Sequence, residues 1–216
     1  MRNSTEDLLR IFFERYDSLE FLKENIISVS EMICNAAKAD RLVLVCGNGG
    51  SSADSEHMAA ELLKAFLLPR PVSSETKDEL IGLLGEKEGD HIACNLQQGI
   101  RCIPLTSFSA FSTAFINDCD PDMLFAQLVN VLGREEDVLI AISTSGNSAN
   151  VCHAAKIAKA KRMKVISLTG ENGGKLKEFS DVLLNVPSTI VYRIQEYHLP
   201  LYHLICSIVE NELFGE

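Results

Sequence analysis

The sequence predicts an α/β fold, a three-layer sandwich in which helices cover both faces of a five-stranded parallel sheet, with an additional helical arm at the N-terminus. Short apolar runs alternate with helical patterns along most of the chain. Strands of this kind are typical of parallel sheets that are buried on both faces. The length of 216 residues also suits one domain with a full hydrophobic core plus a helical extension.

An amphipathic segment precedes the first predicted strand. Apolar residues recur at helical spacing between residues 5 and 38, which predicts one or two helices. We therefore assign residues 1–40 to the helical arm and residues 41–216 to the α/β domain. The apolar stripe of such an arm has to be buried, either on the chain's own core or on another subunit.

Strands and helices alternate through the rest of the chain. Predicted strands lie near residues 42–46, 101–106, 137–142, 164–169 and 182–186. Predicted helices lie near residues 52–66, 108–116, 121–132, 148–161 and 190–213. The last of these is long and largely apolar, which favours burial within an oligomer over exposure on a monomer.

Residues from about 70 to 100 do not fit this alternation. Pro69 and Pro71 end the preceding helix, and the residues that follow are polar and charged with a few apolar islands. We interpret the segment as an inserted excursion or lid that could contain a short helix.

Composition excludes several classes of protein. The formal net charge of −10 argues against nonspecific binding to nucleic acid or to anionic membranes. No apolar run reaches the length of a transmembrane helix, and the polar N-terminal residues lack the apolar centre of a signal peptide. The seven cysteines are odd in number and form no Cys-x-x-Cys pair, which indicates reduced thiols. We therefore expect a cytoplasmic protein.

Two serine-rich turns are the main functional signal. Residues 46–52 (Cys-Gly-Asn-Gly-Gly-Ser-Ser) and 143–148 (Ser-Thr-Ser-Gly-Asn-Ser) each follow a predicted strand and open a predicted helix. The start of a helix has free N–H groups and partial positive charge, and glycines let the backbone approach an anion. Because open α/β sheets bind ligands at the carboxyl ends of their strands, we expect a site for a small phosphorylated or polyhydroxylated molecule. Ordinary helix caps are the alternative interpretation.

Metal-ligating and acid–base residues lie on two predicted helices. His57 and Glu61 are four residues apart on one face, which suits either a divalent metal or a surface pair without a ligand. The last helix carries Gln195, His198 and His203. Spacing alone does not decide between the two histidines, and each could be structural.

These motifs together resemble the sugar isomerase (SIS) domain of bacterial phosphoheptose isomerases. The resemblance is carried by residues 46–54 followed by His57 and Glu61, and by residues 133–151, 164–170 and 193–196, and it covers nearly the whole chain. It implies a flavodoxin-like SIS fold. It also implies a zinc-dependent isomerase that interconverts sedoheptulose 7-phosphate and D-glycero-D-manno-heptose 7-phosphate through an enediol, as a step towards cell-surface heptose. Members of the family are cytoplasmic homotetramers with active sites between subunits.

The resemblance also implies roles for particular residues. The zinc ligands would be His57, Glu61, Gln195 and His203, so the family pattern selects His203 over His198. Glu61 would be the catalytic base and His203 its acid–base partner. Substrate contacts would come from Asn48, Gly49, Gly50, Ser51, Asn117, Asp118, Ser143, Thr144, Ser145, Ser148 and Gln195.

Two departures from the family pattern leave the sugar open. Ala65 stands where the family usually has an arginine, and the excursion is longer than in the typical enzyme. The alternatives are an isomerase of a different sugar phosphate, a non-enzymatic SIS-fold partner of a replication initiator, and a sensor that binds a sugar phosphate without turnover. The complete set of four metal ligands argues against a scaffold, which has no chemical need for them.

Overall fold

Residues 3–215, which the computed structural model describes, form a five-stranded sheet. The strands are β1 (Val43–Cys46), β2 (Cys102–Pro104), β3 (Val138–Ile142), β4 (Lys164–Thr169) and β5 (Val182–Asn185). All neighbouring strands are parallel, and their order is β2-β1-β3-β4-β5. This is the flavodoxin-like order. The predicted fold class is confirmed, and each predicted strand is present.

Nine α-helices accompany the sheet in the described part of the chain. They are α1 (Asn3–Arg15), α2 (Lys23–Lys38), α3 (Gly50–Leu63), α4 (Ser74–Leu84), α5 (Glu86–Asn95), α6 (Ser109–Asp118), α7 (Leu124–Leu132), α8 (Ala149–Ala160) and α9 (Val191–Phe214). Among the helices of residues 3–215, α9 included, none combines the length and the apolarity that a membrane span requires.

The sheet separates two hydrophobic cores. Alternate side chains of a strand point to opposite faces. In β1, Val43 and Val45 therefore face a core built with α1, α2, α3 and α9, whereas Leu44 and Cys46 face a second core built with α7 and α8. Every residue of β1 and β3 is buried, as expected for central strands of a three-layer sandwich.

The N-terminal arm is packed on its own chain. Helices α1 and α2 both contact α9, and Leu9 and Ile26 belong to the same core as the sheet. Residues 201, 202 and 204–210 of α9 are buried by these contacts. The expectation that an oligomer buries α9 is therefore wrong for these residues, because periodicity identifies an apolar face but not the element that covers it. The division at residue 40 stays a prediction.

The excursion is a helical hairpin rather than a single short helix. Helices α4 and α5 pack on each other across Gly85, and no residue of α4 is buried. The hairpin is closed at its base, where Pro71 pairs with Gln97 and the N–H of Ile100 donates to the carbonyl of Leu62 at the end of α3. The excursion is thus joined directly to the helix that carries Glu61.

Candidate active site at the carboxyl ends of β1 and β3

The two serine-rich loops lie side by side. They follow β1 and β3, which are neighbours in the sheet at the point where the strand order reverses, the usual place of ligand sites in open α/β folds. The amides of Asn48 and Asn150 join the loops by two reciprocal hydrogen bonds of 2.9 and 3.0 Å. The segments that follow β1 and β3 are therefore in direct contact.

The loop after β1 depends on glycine. Gly49 has φ +56°, a conformation that residues with a Cβ rarely adopt. A Cβ on Gly50 would collide with the side-chain amide of Gln195, so this amide packs directly against the start of α3. Ser51 is buried in the first turn of the same helix. Gln195 therefore lies beside the loop that is predicted to contact the sugar.

The loop after β3 brings several serine hydroxyl groups together, and we call this loop the hydroxyl cradle. The hydroxyls of Ser143 and Ser148 are 3.0 Å apart, and the Ser145 hydroxyl accepts a hydrogen bond from the N–H of residue 147. Gly146 has φ +65°, and a Cβ there would collide with the carbonyl of Gly173 in the loop after β4. Helix α8 begins directly after the cradle, so its first N–H groups lie beside the serines.

Three of the four side chains that are predicted to bind a metal lie close together between α3 and α9. His57 Nε2 lies 3.3 Å from Glu61 Oε1 and 3.4 Å from His203 Nε2. Glu61 is 8% exposed, and its second carboxylate oxygen accepts a hydrogen bond of 3.0 Å from the ammonium of Lys64. Burial lowers the pKa of His203 and the neighbouring His57 lowers it further, which favours a neutral imidazole.

The donor types and the two distances fit a divalent metal ion. Tetrahedral ligands of zinc at about 2.0–2.1 Å lie roughly 3.3–3.4 Å from each other. Both measured pairs match this separation, and both share His57 Nε2. Within residues 3–215, however, no three His, Cys, Asp or Glu side chains form a complete metal-holding group. The described residues thus place His57 close to Glu61 and to His203, but they do not form a complete metal site.

Packing separates the roles of the two histidines on α9. His198 is fully buried, and its Nε2 lies 3.3 Å from the carbonyl oxygen of Thr169 at the end of β4. Its Nδ1 has no hydrogen-bond partner among the described residues. Burial lowers its pKa to about 4 although the bond to Thr169 opposes the shift. His198 is therefore a neutral core residue, whereas His203 reaches His57.

His198→Gln is expected to lessen the loss of stability in acid. The pKa of His198 is about 4 in the folded protein, against 6.5 for an unperturbed histidine in the unfolded chain. The unfolded state therefore binds more protons between these two pH values. Stability is therefore present above pH 6.5 and is lost as the pH falls towards 4. Urea unfolding at one protein concentration should give a fall in free energy from pH 7 to 4.5 that is about 2–3 kcal/mol smaller in the variant. His91→Gln, at an exposed histidine, is the control, and equal falls in all three proteins would contradict the prediction.

Other predicted residues lie apart from this cluster. Asn117 and Asp118 are exposed at the end of α6, where the Asn117 amide donates to the Asp118 carboxylate at 2.8 Å. No hydrogen bond among residues 3–215 joins them to either loop. Thr144 is partly buried in the cradle, and its carbonyl accepts from the N–H of Gly170.

Sequence reasoning missed three residues that contact the cluster. Lys64 binds Glu61, and Tyr202 places its hydroxyl 2.9 Å from His57 Nδ1. Asp54 lies 3.5 Å from the same hydroxyl. The available signal was spacing, because Asp54 is three residues before His57 and Lys64 is three residues after Glu61 on one helix.

The fold and the two loops define a SIS-domain protein. Two family models described as SIS domain match residues 14–77 and 116–197. The phosphoheptose isomerase of Halorhodospira halophila is 33% identical over 220 residues, which cover 99% of this chain and 98% of the relative. That of Clostridium acetobutylicum is 38% identical over 193 residues, covering 89% and 85%. The chain belongs to the phosphoheptose isomerase family.

Solved structures of the family have the same fold. The phosphoheptose isomerase of Neisseria gonorrhoeae superimposes with a TM-score of 0.72 at 34% identity, covering 95% of this chain and 98% of that one. The phosphoheptose isomerase of Francisella tularensis gives a TM-score of 0.74 at 30% identity, covering 95% and 97%.

Proposed function

We propose that this protein is an aldose–ketose isomerase that interconverts sedoheptulose 7-phosphate and D-glycero-D-manno-heptose 7-phosphate in the synthesis of heptose precursors. The observation that carries the proposal is that α3, which bears His57 and Glu61, starts at the loop that lies beside the hydroxyl cradle. His57 lies seven residues from Gly50 at the start of α3, about 10 Å along the axis. A phosphate in the cradle would leave the far end of a long sugar near the cluster.

The side chains of the cluster suit proton transfer between C1 and C2. Glu61 is nearly buried and is held by His57 and Lys64, so its carboxylate is fixed in position to take a proton from carbon. The neutral imidazole of His203 can give a proton to, or take one from, the sugar oxygen that changes charge. Donors of the paired loops would hold the phosphate and the hydroxyl groups meanwhile.

We propose zinc as the metal, with His57, Glu61, Gln195 and His203 as its ligands. Bound there, it would polarise the sugar carbonyl as a Lewis acid. The two His57 distances support the places of His57, Glu61 and His203 in this ligand set. The position of Gln195 against Gly50 supports the second role predicted for it, contact with the sugar.

We also propose a cytoplasmic homotetramer with active sites at subunit interfaces. Ile190, Val191 and Tyr192 are between 42% and 58% exposed and lie three to five residues before Gln195 on the chain. An apolar patch of this kind is typical of a contact surface. Its position would place a neighbouring subunit at the substrate loops.

A different sugar phosphate is the second candidate. Ala65 lacks the side chain of the usual arginine, and its N–H is taken by Gln97 at the base of the excursion. Both features lie next to Glu61, so they bear on the sugar rather than on the reaction.

An isomerisation assay on sedoheptulose 7-phosphate tests the proposal. Chelator-treated protein is expected to lose turnover, and added zinc is expected to restore it, because zinc would stabilise the developing oxyanion. Formation of the aldose is the readout, and light scattering confirms that the protein stays assembled. No turnover by folded, zinc-loaded protein would contradict the proposal, and a panel of other ketose phosphates would then distinguish another sugar from binding without catalysis.

A further inference from the structure

We propose that Tyr202 and Asp54 are positioning residues that hold His57 in the tautomer with its proton on Nδ1, so that Nε2 is free to bind a divalent metal ion. The proposal deepens the metal site of the proposed function and rests on it. Neither Tyr202 nor Asp54 is among the predicted site residues.

The contacts of this pair link α3 to α9. The fully buried Tyr202 lies on α9 immediately before His203, and its hydroxyl oxygen is 2.9 Å from His57 Nδ1 and 3.5 Å from Asp54 Oδ1. The rings of His57 and Tyr202 meet edge to face at an angle of 74°. One hydroxyl therefore stands between a carboxylate and an imidazole nitrogen.

The hydroxyl has a single hydrogen, so its direction sets the tautomer. A phenol donates one hydrogen bond and can accept another. Asp54 Oδ2 is buried without a hydrogen-bond partner among the described residues. If the Tyr202 hydroxyl did not donate to Oδ1, the whole carboxylate would be buried without a hydrogen bond, at a large cost in free energy. The hydroxyl is thus assigned as donor to Asp54 and as acceptor from His57 Nδ1–H.

This assignment leaves a lone pair on His57 Nε2. The atom faces the acceptor Glu61 Oε1 at 3.3 Å and lies 3.4 Å from His203 Nε2, whose hydrogen it can accept in the metal-free chain. Such a cluster attracts a cation, and an outer hydrogen bond that fixes the tautomer is typical of metal-bound histidine. The opposite direction would put the proton on Nε2, where it would point at Glu61 and would have to leave before a metal could bind.

Imidazole nitrogen NMR of the metal-free full-length chain tests the assignment. With ¹⁵N-labelled histidine, His57 is expected to give the pattern of the Nδ1–H tautomer, its signals being identified by their loss in His57→Gln. In Tyr202→Phe the pattern should move towards Nε2–H, because Nδ1 loses its acceptor while Glu61 can accept from Nε2. Tyr197→Phe, on the same helix, is the matched control. An Nε2–H pattern in the unsubstituted protein, or no change in Tyr202→Phe, would overturn the proposal.

Zinc affinity gives an independent readout. Competition with a chromophoric chelator should show binding weakened about 10–100-fold in Tyr202→Phe and unchanged in Tyr197→Phe. Equal affinities in the two variants would overturn the proposal. If Tyr202→Phe fails to fold, Asp54→Asn replaces it, because an amide can donate to the Tyr202 oxygen and turn its hydroxyl towards His57.

The two experiments also separate this proposal from the proposed function. The Nδ1–H pattern without isomerase turnover would contradict the function and leave the tautomer assignment in place. Isomerase turnover with an Nε2–H pattern would support the proposed function and contradict the tautomer assignment.

Discussion

Glu61→Gln is expected to lower kcat on sedoheptulose 7-phosphate by about 10²–10⁴-fold, the usual contribution of a general base. The substitution keeps the shape of the side chain but removes the group that would accept the proton. Binding of the sugar phosphate should change little, because the cradle around Ser143 and Ser148 belongs to another loop. Isothermal titration with substrate would measure binding, and aldose formation would measure turnover.

The proposed double role of Glu61 requires a metal control. Zinc content of Glu61→Gln is to be measured and restored to that of the unsubstituted enzyme before assay, because loss of a ligand would also reduce rate. Glu56→Gln is the matched variant on the same helix, where the exposed Glu56 accepts only from the Thr106 hydroxyl among the described residues. It should keep full activity. Turnover of zinc-loaded Glu61→Gln equal to that of Glu56→Gln would exclude Glu61 as the base.

The position of the two serine-rich loops at one edge of the sheet could be predicted, because it depends on local order. Each loop follows an apolar strand, and parallel strands bring their carboxyl ends to one edge, so loops after neighbouring strands must meet. The two hydrogen bonds between Asn48 and Asn150 are the contact that results. Spacing on one helix likewise predicted the pairing of His57 with Glu61.

Contacts between distant segments were not predictable in this way. Asp54 and Tyr202 are 148 residues apart, and Arg70 and Glu210 are 140 apart. Helical periodicity describes which face of an element is apolar, but not which element covers it. The same limit explains why the sequence left His198 and His203 equivalent, although one packs on β4 and the other on α3.

The buried Arg70–Glu210 ion pair connects α9 to the end of α3. Arg70 Nε donates to Glu210 Oε1 at 2.7 Å, and both side chains are at most 1% exposed. The Glu210 carboxylate also accepts from three backbone N–H groups, at residues 66, 67 and 68. Arg70 donates in turn to the carbonyls of Glu61 and Leu62 at the end of α3. The pair thereby fixes the end of α3, with Glu61, against α9, with His203.

Glu210→Ala is expected to destabilise the protein by about 3–5 kcal/mol, because removal of one partner leaves the other charge buried and unpaired. Burial alone raises the pKa of Glu210, but the N–H groups of Phe66 and Leu67 and the guanidinium of Arg70 outweigh it, so the net shift is downward. The stabilisation is therefore present above pH 4.5 and is lost as the pH falls through the lowered pKa. Urea unfolding at pH 7 and one protein concentration would measure the change.

The matched control is Glu14→Ala, which breaks the solvent-exposed pair of Arg10 and Glu14 on α1. It should leave the unfolding midpoint close to that of the unsubstituted protein, since exposed pairs contribute little. Glu210→Gln should lie between the two variants, because its amide oxygen can still accept from the loop N–H groups while the charge is lost. If Glu210→Ala were as stable as Glu14→Ala, the pair would not hold α3 to α9, and the position of Glu61 against His203 would have to come from the packing of the helices alone.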